Sequence, residues 1–400
     1  MNATMLSVEN KHLYLDVREF GAVGDGVTDD TAAVQAAIDK GAKTGQAVYI
    51  SPGRYSVGEL TLYPGSTLRS EPQWGFKHET IGAAVLVQRY EDQKCILNVS
   101  YANGAELDGL SLTGEYKPGG CCGILCDKPA FGKIEDAFRI EHCRVSAFSG
   151  HAVYLKRIWC FSIRHNMFCF SEGDGLRVLG WDGFISDNWF SANGGAGYSG
   201  EEDNCSVTMT GNRIEWNRGG GIVIEGGSHY NITGNYIDRS GKAGIRIAPA
   251  IVFDDDAQRL EPRISNTITI TGNTIYRSGK YAIEEDESCH VELNACAGVT
   301  MIGNSLCVGR DDKGKGEYSP KTAIILDSMV ESVVSGNTMF ISAIETLIDD
   351  RGNHKDLILK DNVGSLFPKE AIECTQASLP TNLIIRFRED LRRHFTEIPE

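Results

Sequence analysis

The chain has 400 residues, with 45 glycines, 11 prolines and a formal net charge of −15. This charge disfavours nucleic acids and anionic membranes as partners, because both select a basic surface, and no stretch is long and apolar enough to span a bilayer. The N-terminus lacks the positive start and apolar run of a secretory signal, so we expect a cytoplasmic protein whose twelve cysteines are reduced.

The first predicted elements form an N-terminal cap, residues 14–60. Residues 15–17 are predicted as a strand, and a glycine-rich loop follows at 21–26. Thr28 is predicted to cap a helix that carries Asp29 and Asp30 in its first turn, where the helix dipole favours acids, and that ends at Gly41. The loop lacks the Gly-Lys-Ser/Thr ending of a phosphate-binding loop. We therefore interpret the segment as structural.

The cysteines that follow do not indicate a metal site. Cys121, Cys122 and Cys126 lie close together, but their spacing is not that of a zinc site and no matched second pair follows. Cys143 stands where later repeats place an asparagine. We predict buried thiols, no metal and no cofactor.

A short phrase then recurs through the chain: a small or polar residue, Asn, any residue and an apolar residue, followed by a glycine-rich turn and a Gly-Ile-x-Ile strand. From Asn166 to Asn235 the step is roughly two dozen residues, which is typical of a solenoid. Three short strands per coil predict an all-β fold, a right-handed parallel β-helix. We predict that stacked Asn side chains hold one bend of every coil and are not catalytic; they are Asn188, Asn212, Asn235, Asn273, Asn304 and Asn337.

We predict one β-helix domain over residues 1–400, with coils at 61–370 and a C-terminal cap segment at 371–400. Within that segment, residues 383–385 are predicted as a last strand. The charged, amphipathic stretch 387–395 is predicted either to cover the end of the coils or to pack on a neighbouring chain.

The segment from Phe20 to Ala33, Phe-Gly-Ala-Val-Gly-Asp-Gly-Val-Thr-Asp-Asp-Thr-Ala-Ala, closely resembles the opening of the pectate-lyase-like β-helix superfamily. That group includes polygalacturonase-type glycosidases, alginate epimerases and phage tailspike depolymerases. The resemblance, which with the repeats covers roughly residues 14–370, implies a carbohydrate-active protein that acts on an oligo- or polysaccharide. It also leaves a homotrimer open. One fold hosts many chemistries, so the reaction must be argued from the site.

Strand alternation predicts which side chains face the substrate. Ile222 and Ile224 point inward, so Val223 and Glu225 point outward, along the sheet on which the resemblance places a sugar. The same register exposes Asp127, Tyr154, Lys156, Arg177, Arg246 and Glu284. Of these residues, all but Asp127 are predicted to bind substrate, and we predict the same role for Glu201 and Trp181.

Residues 194–203 break the strand pattern with glycines and three acids, Glu201, Glu202 and Asp203. Close carboxylates repel, which raises the pKa of one of them and allows an acid and a base to coexist. We predict that Asp203 or Glu202 works with Glu225, and that Asp174 assists them. An exposed acidic loop without a catalytic role is the alternative.

The chain departs from the family 28 polygalacturonase-type enzymes that it resembles. Asp174 aligns with the Asp of their Asn-Thr-Asp-Gly motif. Their Gly-Asp-Asp is replaced here by residues 195–197, Gly-Ala-Gly, and their Gly-His-Gly by three glycines at 219–221. The alginate-epimerase signature Asp-Pro-His-Glu is also missing. These losses argue against ordinary polygalacturonase chemistry.

Two further interpretations stay open. Charged residues on another strand, with Trp189, Trp216 and Tyr236 nearby, predict first a contact between subunits and second a catalytic site; the charged residues are Arg213, Glu215, Asp238 and Arg239.

The protein as a whole is predicted to cleave a glycosidic bond by carboxylate acid/base catalysis. The alternatives are a lyase acting on an acidic sugar, a tailspike-like protein that binds without cleaving, and a purely structural solenoid.

Overall fold

The computed structural model describes residues 14–71, 84–254, 259–282, 288–310 and 318–368. The chain divides into two compact units, residues 1–171 and 172–400. The predicted single domain stays a prediction. The predicted C-terminal strand and amphipathic stretch lie outside the described residues.

The first unit contains a 3-10 turn at Val17–Phe20, one α-helix (α1, Thr31–Thr44) and short strands. Its strands are β1 Tyr14–Asp16, β2 Asp25–Asp29, β3 Ala47–Tyr49, β4 Gly53–Val57, β5 Leu60–Thr61, β6 Thr67–Arg69, β7 Ala84–Gln88, β8 Cys95–Asn98, β9 Glu106–Asp108, β10 Ser111–Thr113, β11 Cys122–Asp127, β12 Phe138–Glu141, β13 Arg144–Ser146, β14 Val153–Arg164 and β15 Met167–Cys169.

The second unit consists of strands and their turns. The strands are β16 Leu176–Ser186, β17 Trp189–Ser191, β18 Tyr198–Gly200, β19 Cys205–Thr210, β20 Arg213–Glu215, β21 Ile222–Glu225, β22 Ser228–Thr233, β23 Tyr236–Asp238, β24 Ile245–Ala248, β25 Ala250–Asp254, β26 Arg259–Arg263, β27 Ser265–Thr271, β28 Thr274–Tyr276, β29 Cys289–Asn294, β30 Cys296–Ile302, β31 Ser305–Cys307, β32 Gly309–Arg310, β33 Tyr318–Ser319, β34 Thr322–Asp327, β35 Val330–Ser335, β36 Thr338–Ala343, β37 Thr346–Asp350, β38 Lys355–Lys360 and β39 Val363–Leu366.

Each coil of the second unit has three strands, and each strand pairs in parallel with its counterpart in the next coil. In one coil these are β21, β22 and β23, which pair with β24, β27 and β28. Ile222, Ile224, Ile232 and Ile237 are fully buried and fill the interior. The predicted right-handed parallel β-helix is confirmed, and so is the inward register of the isoleucines.

The repeated asparagines form a buried ladder along one bend of the second unit. Asn212 Nδ2 donates to Asn235 Oδ1 at 2.9 Å, and Asn235 Nδ2 donates to Asn273 Oδ1 at 3.0 Å. The preceding residue has a positive φ, 66° at Gly211 and 65° at Gly234, which explains the glycine before Asn212 and Asn235. The structural role of the column is confirmed.

A second, shorter ladder escaped the sequence analysis. Asn193 Nδ2 donates to Asn217 Oδ1 at 2.9 Å, and Asn193 N donates to the same oxygen at 3.1 Å. In the first unit, Cys143 N donates to Asn166 Oδ1 at 2.8 Å, so Cys143 occupies an Asn position as predicted.

The predicted helix boundaries are wrong at both ends. Thr28 lies in β2, where its hydroxyl donates to Asp25, and the helix starts only at Thr31. Asp30 precedes the helix, but its carboxylate accepts from Val23 N and Gly24 N and so closes the glycine-rich loop instead. The helix ends at Thr44 and is capped by Gly45, whose φ is 73°. Gly41 lies inside the helix, and a side chain there would collide with Gln46 O, which explains the glycine at that position.

The cysteines in the described ranges form no disulfides, and most of them are buried. Burial raises the pKa of the Cys121 and Cys126 thiols to about 12. The described residues hold no group of three or more His, Cys, Asp and Glu side chains placed to bind a metal ion. No helix in this part of the chain is long and apolar enough to span a membrane.

Candidate functional site

The candidate site lies on the sheet that the first strands of successive coils build in the second unit. Parallel pairing places Arg177, Ser199, Val223, Arg246 and Glu292 next to one another, one from each coil. Neighbouring strands are about 4.8 Å apart, so these side chains form a row. The outward register predicted for Arg177, Val223 and Arg246 is confirmed.

Four residues of this row, Arg177, Ser199, Val223 and Arg246, form the floor of a groove of about 500 Å³. Strands β25 and β26 pair as an antiparallel hairpin, and the start of β25 contributes to the lining of the groove. The lining combines arginine, glutamate and apolar side chains: Arg177, Ser199, Gly200, Glu201, Glu202, Val223, Glu225, Arg246, Pro249, Ala250 and Ile251.

Arg177 is tied to two carboxylates. Its Nε pairs with Glu201 Oε1, and its Nη1 lies 4.0 Å from Asp174 Oδ2. The Glu201 side chain is 13% exposed, whereas that of Arg177 is 40% exposed. The arginine therefore covers the glutamate and presents one face of its guanidinium to the groove.

Arg246 is tied to two carboxylates in the same way. Its Nη1 pairs with Glu225 Oε1, and its Nε lies 3.1 Å from Glu292 Oε2. Burial alone would lower the pKa of Arg246, but the attraction of Glu292 and Glu225 outweighs it and raises that pKa. Arg246 therefore stays charged and bridges one buried and one half-exposed glutamate.

Asp174 holds the glycine-rich break together. Its Oδ1 accepts from Ala196 N at 2.7 Å, and its Oδ2 accepts from Ser199 Oγ at 2.7 Å. A Cβ at Gly195 would lie 2.2 Å from Asp174 Oδ1, which explains the glycine at that position. Both carboxylate oxygens are thus engaged in orienting the turn and the Ser199 hydroxyl.

The three consecutive acids after the break point in different directions. Glu201 pairs with Arg177, and Glu202 lines the groove, as Glu225 does. Asp203 instead pairs with Arg263 of β26, and its carbonyl oxygen accepts from Trp181 Nε1 at 3.0 Å. Asp203 and Trp181 are not among the described residues that line the groove.

Of the remaining predicted residues, two belong to the first unit and one lies outside the described residues. Tyr154 and Lys156 belong to β14 of the first unit, where Lys156 Nζ lies 3.5 Å from Asp127 Oδ1. Glu284 lies outside the described residues. The place in the row that was assigned to Glu284 is taken by Glu292, which the sequence analysis missed. The inward–outward alternation of residues 291–293 was the available signal, but the Gly-Ile-x-Ile phrase is absent there.

The second charged cluster divides into two stacks on the third strands of the coils. In the first stack, the Arg213 guanidinium lies 5.3 Å from the Trp189 ring and 4.6 Å from the Tyr236 ring. Glu215 connects them, since Trp189 Nε1 donates to its Oε1 at 2.8 Å and Arg213 Nε donates to its Oε2 at 3.0 Å. These cation–aromatic contacts are intramolecular.

The second stack is more deeply buried. Asp238 is 1% exposed and accepts two hydrogen bonds from Arg277, each 2.9 Å long. Arg239 pairs with the same carboxylate and lies 4.0 Å from the Trp216 ring. Burial raises the pKa of Asp238, although Arg277 and Arg239 oppose this effect. The interface and the catalytic interpretation of the cluster both stay predictions.

Sequence comparisons match two families. The profile described as rhamnogalacturonase A/epimerase, pectate lyase-like, matches residues 14–84, and the right-handed β-helix region matches residues 151–338. Depolymerase 1 of Klebsiella phage K5-2, which is capsule-specific, is 25% identical over 263 residues, 60% of this chain and 31% of that protein. The mannuronan C5-epimerase AlgE5 of Azotobacter vinelandii is 58% identical over 43 residues, 10% of this chain and 4% of that enzyme.

A structural comparison supports the same fold. Full-length tailspike protein 2 of the Escherichia coli O157:H7 bacteriophage CAB120 superimposes with a TM-score of 0.65 at 15% identity, over 91% of this chain and 47% of that one. The matches span less than a third of the length of the depolymerase and of the epimerase.

Proposed function

We propose that this chain, a pectate-lyase-like right-handed β-helix protein, is a carbohydrate-active enzyme that cleaves a glycosidic bond of an oligo- or polysaccharide in the groove of its second unit. The observation that carries the proposal is that two glutamates, Glu202 and Glu225, line one groove together with two arginines. The match to a capsule-specific phage depolymerase supports a polysaccharide substrate.

Glu202 and Glu225 are the proposed acid/base pair. Hydrolysis requires one protonated carboxyl to protonate the leaving oxygen and one carboxylate to act as base or nucleophile. Glu225 is 47% exposed at the groove although it pairs with Arg246, and Glu202 has no ion-pair partner among the described residues. Glu202 is preferred to Asp203, since Asp203 is paired with Arg263.

The other predicted residues receive different roles in this proposal. Asp174 and Glu201 position Ser199 and Arg177, and Arg177 and Arg246 contact the sugar. Substrate binding by Tyr154, Lys156, Trp181 and Glu284 stays a prediction, as do the cytoplasmic location and the homotrimer.

The test is a screen of purified protein against oligosaccharides, read by mass spectrometry. Hydrolysis adds the mass of one water to the sum of the products. On the substrate so identified, Glu225→Gln and Glu202→Gln are each expected to lower kcat by about 10² to 10⁴-fold. Glu345→Gln, an exposed glutamate of the same unit, is the matched control and should retain full activity. Full activity in both groove variants would show that the assignment is wrong.

A lyase is the second candidate because two arginines line the groove, although each would have to exchange a glutamate partner for the carboxylate of the sugar. Elimination from an acidic sugar needs a base near C5 and a cation that holds the carboxylate, which Arg177 or Arg246 could supply. The same screen separates the two reactions, because elimination adds no water and leaves an unsaturated product with ultraviolet absorbance. Retention of the oligosaccharide without any product would instead indicate a binding protein.

A further inference from the structure

We propose that the groove selects a neutral saccharide and excludes a uronate, an inference that rests on the proposed function of that groove. Its basis is the pairing of both groove arginines with carboxylates of the protein itself. A sugar carboxylate would have to compete with these fixed partners.

Both guanidinium groups are occupied by the chain. Arg177 faces Glu201 and Asp174, and Arg246 faces Glu225 and Glu292. An arginine binds a carboxylate best through two parallel N–H donors presented as a fork. In each guanidinium the Nε–H, one of the donors of such a fork, is already directed at a glutamate.

The charge around the groove also opposes an anionic sugar. Two arginines face five carboxylates, which belong to Asp174, Glu201, Glu202, Glu225 and Glu292. Like charges in a partly desolvated groove repel more strongly than they do in bulk water. Four of these acids are fixed by ion pairs, Asp174 and Glu201 with Arg177, and Glu225 and Glu292 with Arg246. The negative excess is therefore a property of the scaffold.

The remaining chemistry of the groove suits a neutral ring. Carboxylate oxygens that accept hydrogen bonds are well placed to bind sugar hydroxyls, which donate them. Val223 of the floor and Ile251 of the hairpin offer apolar surface for the C–H face of a ring. Ile251 is 64% exposed, which is consistent with a surface that a ligand covers.

The experiment uses matched pairs of methyl glycosides that differ only in a carboxylate. Methyl glucoside, galactoside and mannoside are compared with the corresponding methyl uronosides, each titrated into isotope-labelled full-length protein. The Nε–H resonances of Arg177 and Arg246 report binding. We expect at least one neutral glycoside to shift them saturably, with no shift from its uronoside. A uronoside that shifts either resonance, or a groove that responds to neither sugar of any pair, would overturn the proposal.

A double variant tests whether the ion pairs of the two arginines cause the selectivity. Glu201→Gln combined with Glu292→Gln frees one donor edge of each arginine. The variant is expected to bind uronosides with an affinity about tenfold or more higher than that of the wild type, whereas Glu345→Gln should not. No gain would show that the ion pairs do not set the selectivity. These binding measurements do not depend on catalytic activity. If Glu202→Gln and Glu225→Gln stay active while neutral sugars bind selectively, the proposed acid/base pair fails and the substrate class stands.

Discussion

Arg246 Nε lies 3.1 Å from Glu292 Oε2, and these residues are direct neighbours on adjacent coils although they lie 46 positions apart along the chain. Glu292 is 8% exposed, so it acts on the groove through the arginine and not by touching a ligand itself. It is a positioning residue, and its effect on substrate binding can be separated from its effect on catalysis.

We predict that Glu292→Gln raises KM and leaves kcat nearly unchanged. The amide can still accept from Arg246, but the attraction that fixes the guanidinium is lost, and we expect a change of about five- to tenfold in KM. Steady-state kinetics on the substrate found by the screen measure both constants. A large loss of kcat at constant KM would place Glu292 in the chemistry instead.

The asparagine ladder should be a main source of stability, and Asn235 is a suitable probe. Its Oδ1 accepts from Asn212 N and Nδ2, and its own Nδ2 donates to Asn273 Oδ1 and Met209 O. Asn235→Ala leaves several buried groups without partners, each costing about 1–3 kcal/mol. We expect the free energy of unfolding to fall by roughly 3 kcal/mol in urea denaturation.

The control for this prediction is Asn231→Ala in the same coil. Asn231 is exposed and accepts from the Thr233 hydroxyl. A change within about 0.5 kcal/mol is expected there. If both variants lose the same stability, the ladder has no special role.

The register of the coils was predictable because only one of the two possible registers buries the isoleucines. A shift by one residue would place Ile222 and Ile224 in solvent, so the outward direction of Val223 follows from the alternation alone. The ladder was predictable for a similar reason, since an Asn that recurs beside a glycine with positive φ has few other uses.

The details of the site were not predictable, because they depend on turns and on distant partners. Asp203 and Glu202 are adjacent in sequence, and only the hairpin that brings Arg263 to Asp203 distinguishes them. Glu292 lies in a strand without the Gly-Ile-x-Ile phrase. The helix starts later than predicted because the Asp30 carboxylate accepts hydrogen bonds from the amides of the preceding loop. Helix propensities do not reveal such a contact.

The buried ion pair of Arg277 and Asp238 leads to a third prediction. Arg277→Ala removes two hydrogen bonds from a carboxylate that is 1% exposed and leaves it with Arg239. Removing one partner of a buried pair costs about 3–5 kcal/mol, because a charge remains without adequate compensation. Urea denaturation measures this loss, and Arg218→Ala, at an exposed arginine, is the control.

A double variant identifies the cause of that loss. Arg277→Met combined with Asp238→Leu removes both charges, and we expect it to be more stable than Arg277→Ala. If the double variant is the less stable one, packing and not the uncompensated carboxylate explains the effect.

His290 gives a prediction about pH. It is fully buried, its Nε2 lies 3.0 Å from Ser342 O, and burial lowers its pKa from 6.5 to about 3. Between these two values the unfolded chain binds a proton that the folded protein refuses, so His290 makes the protein less stable as pH falls. This residue changes the free energy of unfolding by at most about 1.4 kcal/mol per pH unit.

The variant His290→Gln keeps a donor for Ser342 O without a titrating group. Urea denaturation from neutral pH to about 4 should therefore show a shallower loss of stability than in the wild type. Equal slopes in the two proteins would mean that other groups account for the acid sensitivity.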